Sequence, residues 1–176
     1  MTEVVHTAEF DTPFGAMACA STERGVCFIE LPRASGRGIA GWVRRFAPDA
    51  RISSGFAPNR AAIAQVQEYL AGKRDEFRLE LDLRATGFQI RVYAALLEIP
   101  YGETRTYGEI ARAIGEPAAA RAVGTANGAN PLPLVVPCHR VVAARGKLGG
   151  FGGGVQLKKR LLALEHARRP AQGELL

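Results

Sequence analysis

The chain has 176 residues, of which 47% are hydrophobic and 23% charged, and this balance excludes an intrinsically disordered protein and suits one core or two small domains. No run approaches the roughly 18 apolar residues of a membrane span, and the polar start lacks the pattern of a signal peptide, so we expect a cytoplasmic protein with no membrane partner. The net charge is +6, and residues 86–176 hold 12 Lys/Arg against 6 Asp/Glu, whereas residues 1–85 hold 11 of each. A basic C-terminal half favours an anionic partner, of which nucleic acid is the usual one.

The first 83 residues are predicted to form an N-terminal sheet domain with a linker. Residues 4–31 alternate in the manner of antiparallel strands. Residues 32–60 are rich in Gly, Pro, Arg and Ser and are predicted to be an irregular connection with one short helix around residues 42–46. A helix over AAIAQVQEYLAGK then ends at Gly72, and FRLELDL alternates again as a strand that closes the domain.

Two of the three cysteines lie in this sheet domain. Three cysteines cannot form a closed disulfide set, so we expect reduced thiols. Cys19 and Cys27 flank a turn-like stretch, a spacing that allows them to lie nearly opposite each other on a hairpin. Two buried thiols on neighbouring strands are favoured over a metal or redox pair, because neither cysteine has CxxC spacing or a nearby His. We therefore predict no metal site here.

The chain from 86 to 170 is predicted to be a mostly helical domain, followed by a tail over 171–176. Thr106 and Glu109 have the spacing of a capping box and open a short helix. A second helix follows and runs to about Asn127. Two short helices joined by a Gly-containing turn are a candidate helix-turn-helix.

The second of these helices carries mostly small side chains. The positions predicted to face inward are Ala119, Ala122, Val123 and Ala126. Arg121 is then the only long side chain on the outward face. Such a helix can lie close to another backbone, or it can simply pack tightly with Arg121 as a solvated charge, and the residues alone do not separate these two interpretations.

The C-terminal part of the domain contains a glycine-rich loop and a last helix. Six glycines between Gly146 and Gly154 predict a loop, and it is not a nucleotide-binding loop because no Gly-Lys-Ser/Thr follows it. The last helix, VQLKKRLLALEHA, has Leu157, Leu161 and Leu164 as its apolar face. Glu165 falls at the margin of that face.

The third cysteine, Cys138, lies in VVPCHRVV beside a histidine. A thiol becomes a good nucleophile only as a thiolate, which needs a base, a cation or a helix N-terminus to lower its pKa from about 8.5. His139 is the nearest base, yet adjacent side chains on an extended backbone point to opposite faces. Either the backbone turns sharply after Pro137, or a water molecule carries the proton between the two groups. Glu165 is the best carboxylate to hold the second ring nitrogen.

A cysteine, a histidine and a glutamate allow three interpretations: a thiol hydrolase, an acceptor thiol for transferred groups, or a structural cysteine next to a surface histidine. The basic C-terminal half and the candidate helix-turn-helix favour a protein that acts on nucleic acid, because a thiol protease needs neither.

Three stretches resemble the successive motifs of the O6-alkylguanine-DNA alkyltransferases, also called methylated-DNA-protein-cysteine methyltransferases. They are IPYGETRTYGEIA, AARAVGTANGANPLPLVVPCHRVV and GKLGGFGGGVQLKKRLLALE, within about residues 86–166. The N-terminal part is similar more loosely, through DTPFG and ELDL. The resemblance implies an α/β protein with an N-terminal ribonuclease H-like antiparallel sheet domain and a C-terminal, mostly helical domain with a helix-turn-helix.

The resemblance also implies a function, which is DNA repair by a single, irreversible transfer of a methyl or other alkyl group. The group would move from O6-alkylguanine in double-stranded DNA to a cysteine, without a cofactor, after minor-groove binding and base flipping. It leaves open whether O4-alkylthymine is accepted and whether binding along DNA is cooperative; we expect a monomer in solution.

The site residues follow from the same resemblance. Cys138 would be the acceptor, His139 the water-linked base, Glu165 the carboxylate that holds the imidazole, and Asn130 a further member of the network that fixes the preceding turn. Tyr107 would press on the 3′ phosphate or donate its phenol to the guanine ring, and Arg121 would enter the gap in the base stack. Binding of DNA or substrate is implied for Tyr107, Gly108, Arg121, Arg140, Phe151 and Gly153.

The chain departs from the family pattern at three positions. Phe151 stands where many relatives have Tyr, Gly152 where some have Ser, and Tyr93 where Trp is common. The missing hydroxyls at the first two positions leave the substrate preference open. Relatives with Trp in place of the acceptor cysteine bind lesions without repairing them, so Cys138 predicts transfer here rather than binding alone.

Overall fold

The first half of the chain is built on a four-stranded sheet. The structure, a computed structural model, describes residues 1–34 and 37–168, so the predicted tail over 171–176 lies outside the described residues. β1 (Val4–Thr12), β2 (Gly15–Thr22) and β3 (Gly25–Glu30) form an antiparallel meander, as their alternation predicts. The sheet order is β3-β2-β1-β4.

The fourth strand comes from the segment predicted to be irregular. After α1 (Gly38–Phe46), β4 (Arg51–Ser54) pairs in parallel with β1. The sequence-based prediction was wrong here, because β4 is a short, mostly polar edge strand that owes its conformation to backbone hydrogen bonds with β1. A further bond of 2.9 Å joins the Arg51 amide to the carbonyl of Glu3, the residue directly before β1.

The stretch FRLELDL is an extended connection and not a regular strand of the sheet. It follows α2 (Arg60–Leu70) and makes a single parallel bridge, between Leu81 and Val26 of β3. Gly25 permits this crossing, because a Cβ atom at that position would lie 2.3 Å from the Glu80 carbonyl oxygen. The alternating pattern therefore comes from one side of the segment packing on the core, without the strand pairing that we predicted.

Cys19 and Cys27 are both buried on neighbouring strands, but they do not lie opposite each other. Cys19 pairs with Ile29, and a register shift follows between Ala20 and Ser21. Cys19 belongs to the main core, whereas Cys27 packs with Trp42 in a second cluster. The two thiols therefore face opposite sides of the sheet.

The second half is mostly helical. It contains α3 (Gly87–Leu97), a two-residue strand β5 (Arg105–Thr106), α4 (Tyr107–Ala113), α5 (Ala120–Gly128), a second short strand β6 (Val141–Val142) parallel to β5, and α6 (Val155–Arg168). The predicted capping box is present, since the Thr106 hydroxyl accepts from the Glu109 amide at 3.1 Å and the Glu109 carboxylate accepts from the Thr106 amide. α4 and α5 are the two helices of the predicted helix-turn-helix.

The exposed face of α5 carries one more small side chain than predicted. Val123 and Ala126 are buried, but Ala122 is exposed beside Arg121. The prediction that Ala122 faces inward was wrong, because this residue is exposed. Arg121 therefore projects from a surface of alanine and threonine.

The main hydrophobic core runs continuously from the sheet through α2 into α3, α5 and α6. It joins side chains such as Ile29, Val66, Leu96, Val123 and Leu161, all with at most 1% of their surface exposed. Within the described part of the chain, no helix is long and apolar enough to cross a membrane. The shared core holds the two halves against each other at the place where Cys138 lies.

Candidate active site

Cys138 is the first residue of a single 3₁₀ turn that covers Cys138–Arg140. The backbone therefore does turn sharply after Pro137, instead of continuing as a strand. The Cys138 amide donates to the Val136 carbonyl at 2.8 Å, and the Asn127 side chain donates to the Cys138 carbonyl at 3.2 Å. Only 4% of the Cys138 surface is exposed.

A loop held by Asn130 precedes this turn. The Asn130 amide group donates to the Val136 carbonyl at 2.8 Å, and its oxygen accepts from the Leu132 amide at 3.0 Å. The loop contains Leu134 with φ of 74°, a left-handed conformation that is uncommon for a branched side chain. Asn130 therefore closes a strained loop directly before Cys138.

The thiol of Cys138 is protonated at neutral pH. Burial raises its pKa to about 11, although a hydrogen bond from Asn130 and the positive charge of Lys158 act in the opposite direction. A reaction that uses this sulfur as a nucleophile therefore needs a base to take the thiol proton.

His139 is fully buried and lies against Glu165. Its Nε2 atom is 2.8 Å from Glu165 Oε1. Burial lowers the pKa of His139 below its ordinary value and outweighs the opposing effect of Glu165, so the ring is neutral at neutral pH. Its other nitrogen, Nδ1, is buried and has no hydrogen-bond partner within the described residues. The structure thus brings together the histidine and the carboxylate that the sequence suggested.

Arg140 takes part in the same network, and its predicted role in binding DNA or substrate stays a prediction. Its guanidinium is buried, donating to Glu165 through Nε at 2.9 Å and Nη2 at 2.9 Å, and to the Ile99 carbonyl through Nη1 at 2.7 Å. Burial alone would raise the pKa of Glu165, but hydrogen bonds from His139 and Arg140 prevail and hold that pKa well below its ordinary value. Arg140 therefore keeps Glu165 ionised.

Two further members of the site were missed by the sequence analysis. Tyr69 of α2 donates from its hydroxyl to Glu165 Oε1 at 2.5 Å. Lys158 of α6 is fully buried and donates to the Val141 carbonyl at 2.6 Å and the Gly150 carbonyl at 3.3 Å. Burial lowers the pKa of Lys158 to about 8. A signal existed for Lys158, which precedes Glu165 by seven positions and so shares its helix face, but none existed for Tyr69.

The glycine-rich loop lies beside Tyr107. A Cβ atom at Gly149 would lie 2.7 Å from the Tyr107 hydroxyl, so only a glycine allows this approach. Gly108 follows Tyr107 in the first turn of α4. At Gly153 a Cβ atom would lie 2.6 Å from Leu157, which indicates close packing of the loop on α6, and the predicted contact of Gly153 with substrate stays a prediction.

A cavity of about 370 Å³ reaches Cys138. Phe151 and Gly152 of the glycine-rich loop form part of its wall, with Asn130 on another side and residues of α1 and β3 opposite. Arg121 lies outside this cavity on the exposed face of α5. No cluster of three or more His, Cys, Asp or Glu side chains able to hold a metal ion occurs within residues 1–34 and 37–168.

Comparison with known proteins decides the family. The ribonuclease-like domain of 6-O-methylguanine DNA methyltransferase matches residues 5–83, and the DNA binding domain of the same enzyme matches residues 87–167. The chain belongs to the 6-O-methylguanine DNA methyltransferase family. This confirms the predicted family, the predicted two-domain α/β fold and the predicted class of function, which is DNA repair by direct alkyl transfer.

Individual members of the family are similar over almost the whole chain. The methylated-DNA–protein-cysteine methyltransferase of Mycobacterium bovis is 47% identical over 171 residues, which is 96% of each chain. The protein of the same name from Methanosarcina acetivorans is 42% identical over 161 residues, covering 92% of this chain and 98% of the other. The crystal structure of Mycobacterium tuberculosis OGT in complex with DNA superposes with a TM-score of 0.80 at 44% identity, covering 94% of this chain and 96% of that one.

Proposed function

We propose that this protein repairs O6-alkylguanine in double-stranded DNA by moving the alkyl group to Cys138. The sulfur–carbon bond forms while the bond from that carbon to O6 of guanine breaks, and the electron pair of the broken bond stays with the base. The thiol loses one proton and the guanine gains one, so the reaction is balanced without a cofactor. The thioether product is stable, which limits each molecule to one transfer.

The observation that carries this proposal is the buried arrangement of Cys138, His139 and Glu165. A thiol whose pKa is near 11 needs a base, and a neutral imidazole follows it in the same 3₁₀ turn. Glu165 holds the Nε2 side of the ring at 2.8 Å, so Nδ1 is the nitrogen left to accept the thiol proton. We propose that a water molecule carries this proton from Cys138 to His139, as the sequence analysis suggested.

The cavity beside Cys138 suits a flipped guanine. An enzyme cannot reach an atom inside the base stack, so the nucleotide must leave the duplex, at a cost of a few kcal/mol. Phe151 supplies an apolar wall for a base in the cavity, and Asn130 stabilises the thiolate by a hydrogen bond. We propose that Tyr107, which begins α4 together with Gly108, touches the extruded nucleotide through its phenol.

The outward face of α5 suits the minor groove. With Ala122 and Thr125 exposed on either side of Arg121, the helix backbone can approach DNA closely. Arg121 is long enough to enter the gap left by the extruded base, while its neighbours stay outside the stack. The salt dependence of binding should be modest, because a small footprint neutralises few phosphates.

Intact-mass measurement tests the proposed transfer. After incubation with duplex DNA that contains O6-methylguanine, the protein should gain one methyl group per molecule, located on Cys138 by peptide mapping. The Cys138→Ser variant should gain none and still bind the duplex. A wild-type protein that stays unmodified, or that carries the methyl group on another residue, contradicts the proposal.

Substitution of Arg121 tests base flipping. Arg121→Ala should slow the repair of duplex DNA by at least about tenfold, because the extruded state loses the side chain that replaces the stacked base. Repair of the free base O6-methylguanine should keep its wild-type rate, since no duplex has to open. Equal losses on duplex and free base would argue against a flipping role.

Two expectations from the sequence stay predictions. We propose that the protein is a monomer in solution and that it works in the cytoplasm, where its thiols remain reduced. Sedimentation with and without DNA would test the first and would also reveal cooperative binding.

A further inference from the structure

The hydroxyl of Tyr69 meets both the histidine and the glutamate of the candidate active site. It donates to Glu165 Oε1 at 2.5 Å and lies 3.1 Å from His139 Nε2. All three side chains have almost no exposed surface. Tyr69 belongs to α2, so the N-terminal half of the chain reaches directly into the site of the C-terminal half.

The tyrosine ring has little freedom to move. Its centroid is 5.3 Å from that of Phe77 in a tilted arrangement and 6.2 Å from that of Tyr101 in an edge arrangement. Burial, reinforced by the neighbouring charge of Glu165, raises the pKa of Tyr69 far above its ordinary value, so the hydroxyl keeps its proton. A fixed, neutral hydroxyl has one hydrogen to donate. Glu165 Oε1 receives it, because this oxygen is closer to the hydroxyl than His139 Nε2 is.

The direction of this hydrogen bond, together with Glu165, determines which nitrogen of His139 carries a proton. A neutral imidazole has one N–H and one acceptor nitrogen. Because the Tyr69 hydrogen goes to Glu165, the hydroxyl offers His139 Nε2 only an oxygen lone pair, and Glu165 Oε1 at 2.8 Å is also an acceptor. Nε2 therefore has to be the protonated nitrogen, and Nδ1 is left as the acceptor.

We infer that Tyr69 is a positioning residue for alkyl transfer: its hydroxyl holds Glu165 and presents only a lone pair to His139, so that the two groups together keep the Nε2–H tautomer, with Nδ1 free to take the proton of the Cys138 thiol. This inference rests on the proposed role of Cys138 as acceptor. It gives the ribonuclease-like half of the chain a part in arranging the site, through one side chain on α2.

Several charged or titratable groups besides Tyr69 face the imidazole. Glu165 and Lys158 approach from α6, Arg140 and Cys138 from the same 3₁₀ turn, and Tyr101 from the connection after α3, behind Tyr69 and Arg140. Removal of the Tyr69 hydroxyl takes one hydrogen bond away from Glu165 and leaves the other groups in place. The carboxylate then attracts the imidazolium form more strongly, which raises the pKa of His139.

The variant Tyr69→Phe tests the inference in the full-length protein. The single-turnover rate of methyl transfer from O6-methylguanine duplex should fall about tenfold, the size expected for loss of one hydrogen bond to a charged group. The imidazolium cannot accept the thiol proton, so the rate falls on the acid side of the His139 pKa. That acid limb should move to higher pH in the variant, and the affinity for unmodified duplex should not change.

Tyr93→Phe is the matched control. Tyr93 is also fully buried, and its hydroxyl donates to the Ala126 carbonyl at 2.9 Å, away from Glu165. Its loss should lower the melting temperature without moving the acid limb. Because Tyr93 also lines the cavity beside Cys138, the two variants are compared by the acid limb: a Tyr69→Phe limb that moves no more than that of Tyr93→Phe overturns the inference.

A direct measurement on the wild-type protein separates this inference from the proposed function. The ¹⁵N chemical shifts of the His139 ring should report the Nε2–H tautomer, whether or not the protein takes up a methyl group. An Nδ1–H tautomer in the wild-type protein overturns the role of Tyr69 even if transfer to Cys138 occurs. Absence of transfer contradicts the proposed function, whereas the ¹⁵N-detected pKa of His139 decides the role of Tyr69 independently: a higher pKa in Tyr69→Phe than in the wild-type protein supports it, and an equal pKa overturns it.

Discussion

Within residues 1–34 and 37–168, an arginine clamps carboxylates in two partly or fully buried networks, and we propose chemistry for only one of them. In the N-terminal half, Arg84 donates to Asp82 at 2.7 and 3.0 Å and also pairs with Glu3, while Thr22 donates to Asp82 at 2.6 Å. In the C-terminal half, Arg140 clamps Glu165 with similar distances.

The difference lies in what the clamped carboxylate faces on its other side. Asp82 faces a threonine hydroxyl, a group that does not change its charge near neutral pH. Glu165 faces His139, whose second nitrogen is still available, with a protonated thiol on the preceding residue. The arginine–carboxylate pair therefore holds neighbouring groups in place in both networks. Only the pair of Arg140 and Glu165 also contacts a titratable base, His139.

Glu165→Gln should have the largest effect on alkyl transfer and on stability. We expect alkyl transfer to slow by up to about 10²- to 10⁴-fold, the range that a positioned general base contributes, because His139 would lose the carboxylate that orients it. We also expect a loss of about 3 kcal/mol in the free energy of unfolding, because Arg140 would remain buried without a counter-charge. Quench-flow kinetics on the folded fraction and urea unfolding would measure the two effects separately; a full transfer rate would show that Glu165 only supports the fold.

Asp82→Asn is the counterpart in the other network. It should lower the free energy of unfolding by about 1–3 kcal/mol, since hydrogen bonds to an ionised carboxylate are replaced by weaker ones. The transfer rate of the folded protein should stay within about twofold of the wild-type rate, because no base depends on this carboxylate. A loss of transfer comparable to that of Glu165→Gln would mean that the two networks are coupled.

The acid dependence of stability sharpens the same comparison with a smaller effect. The folded-state pKa values of Asp82 and Glu165 are both lowered, so each carboxylate contributes stability above the unfolded value of about 4, and this contribution is lost as the pH falls through the folded value. Urea unfolding between pH 7 and pH 3 should therefore show falling stability below about pH 5. Each substitution should flatten that decline, and Glu165→Gln should flatten it more, because the pKa of Glu165 is lowered further.

Features that depend on neighbours in the sequence could be predicted well. The capping box of α4 needs only Thr106 and Glu109 at the right spacing, and the run of glycines after Gly146 excludes regular structure for local steric reasons. The candidate trio of Cys138, His139 and Glu165 came from residue type and helix periodicity. The resemblance of the motifs then carried the family and the DNA partner, both of which are confirmed.

Features that depend on long-range contacts could not be predicted. β4 is a strand because its backbone pairs with β1. FRLELDL is not a regular strand, because only Leu81 forms a bridge to β3. Arg140 reads as a surface cation in the sequence, yet Glu165 and the Ile99 carbonyl hold it inside. A charged residue can be buried wherever its partners converge, and those partners lie 25 and 41 positions away along the chain.

The amino-acid sequence by itself determined that a thiol, an imidazole and a carboxylate would be available in a basic, mostly helical half of this protein. Only the tertiary structure decided which of these groups carry protons and which groups they contact. It turned the backbone sharply at Cys138, paired Arg140 with Glu165, and brought the Tyr69 hydroxyl across 70 residues to His139. The physical reason is that the protonation of each buried group depends on the hydrogen-bond donors and acceptors around it. These neighbours are set by how the two halves of the chain pack.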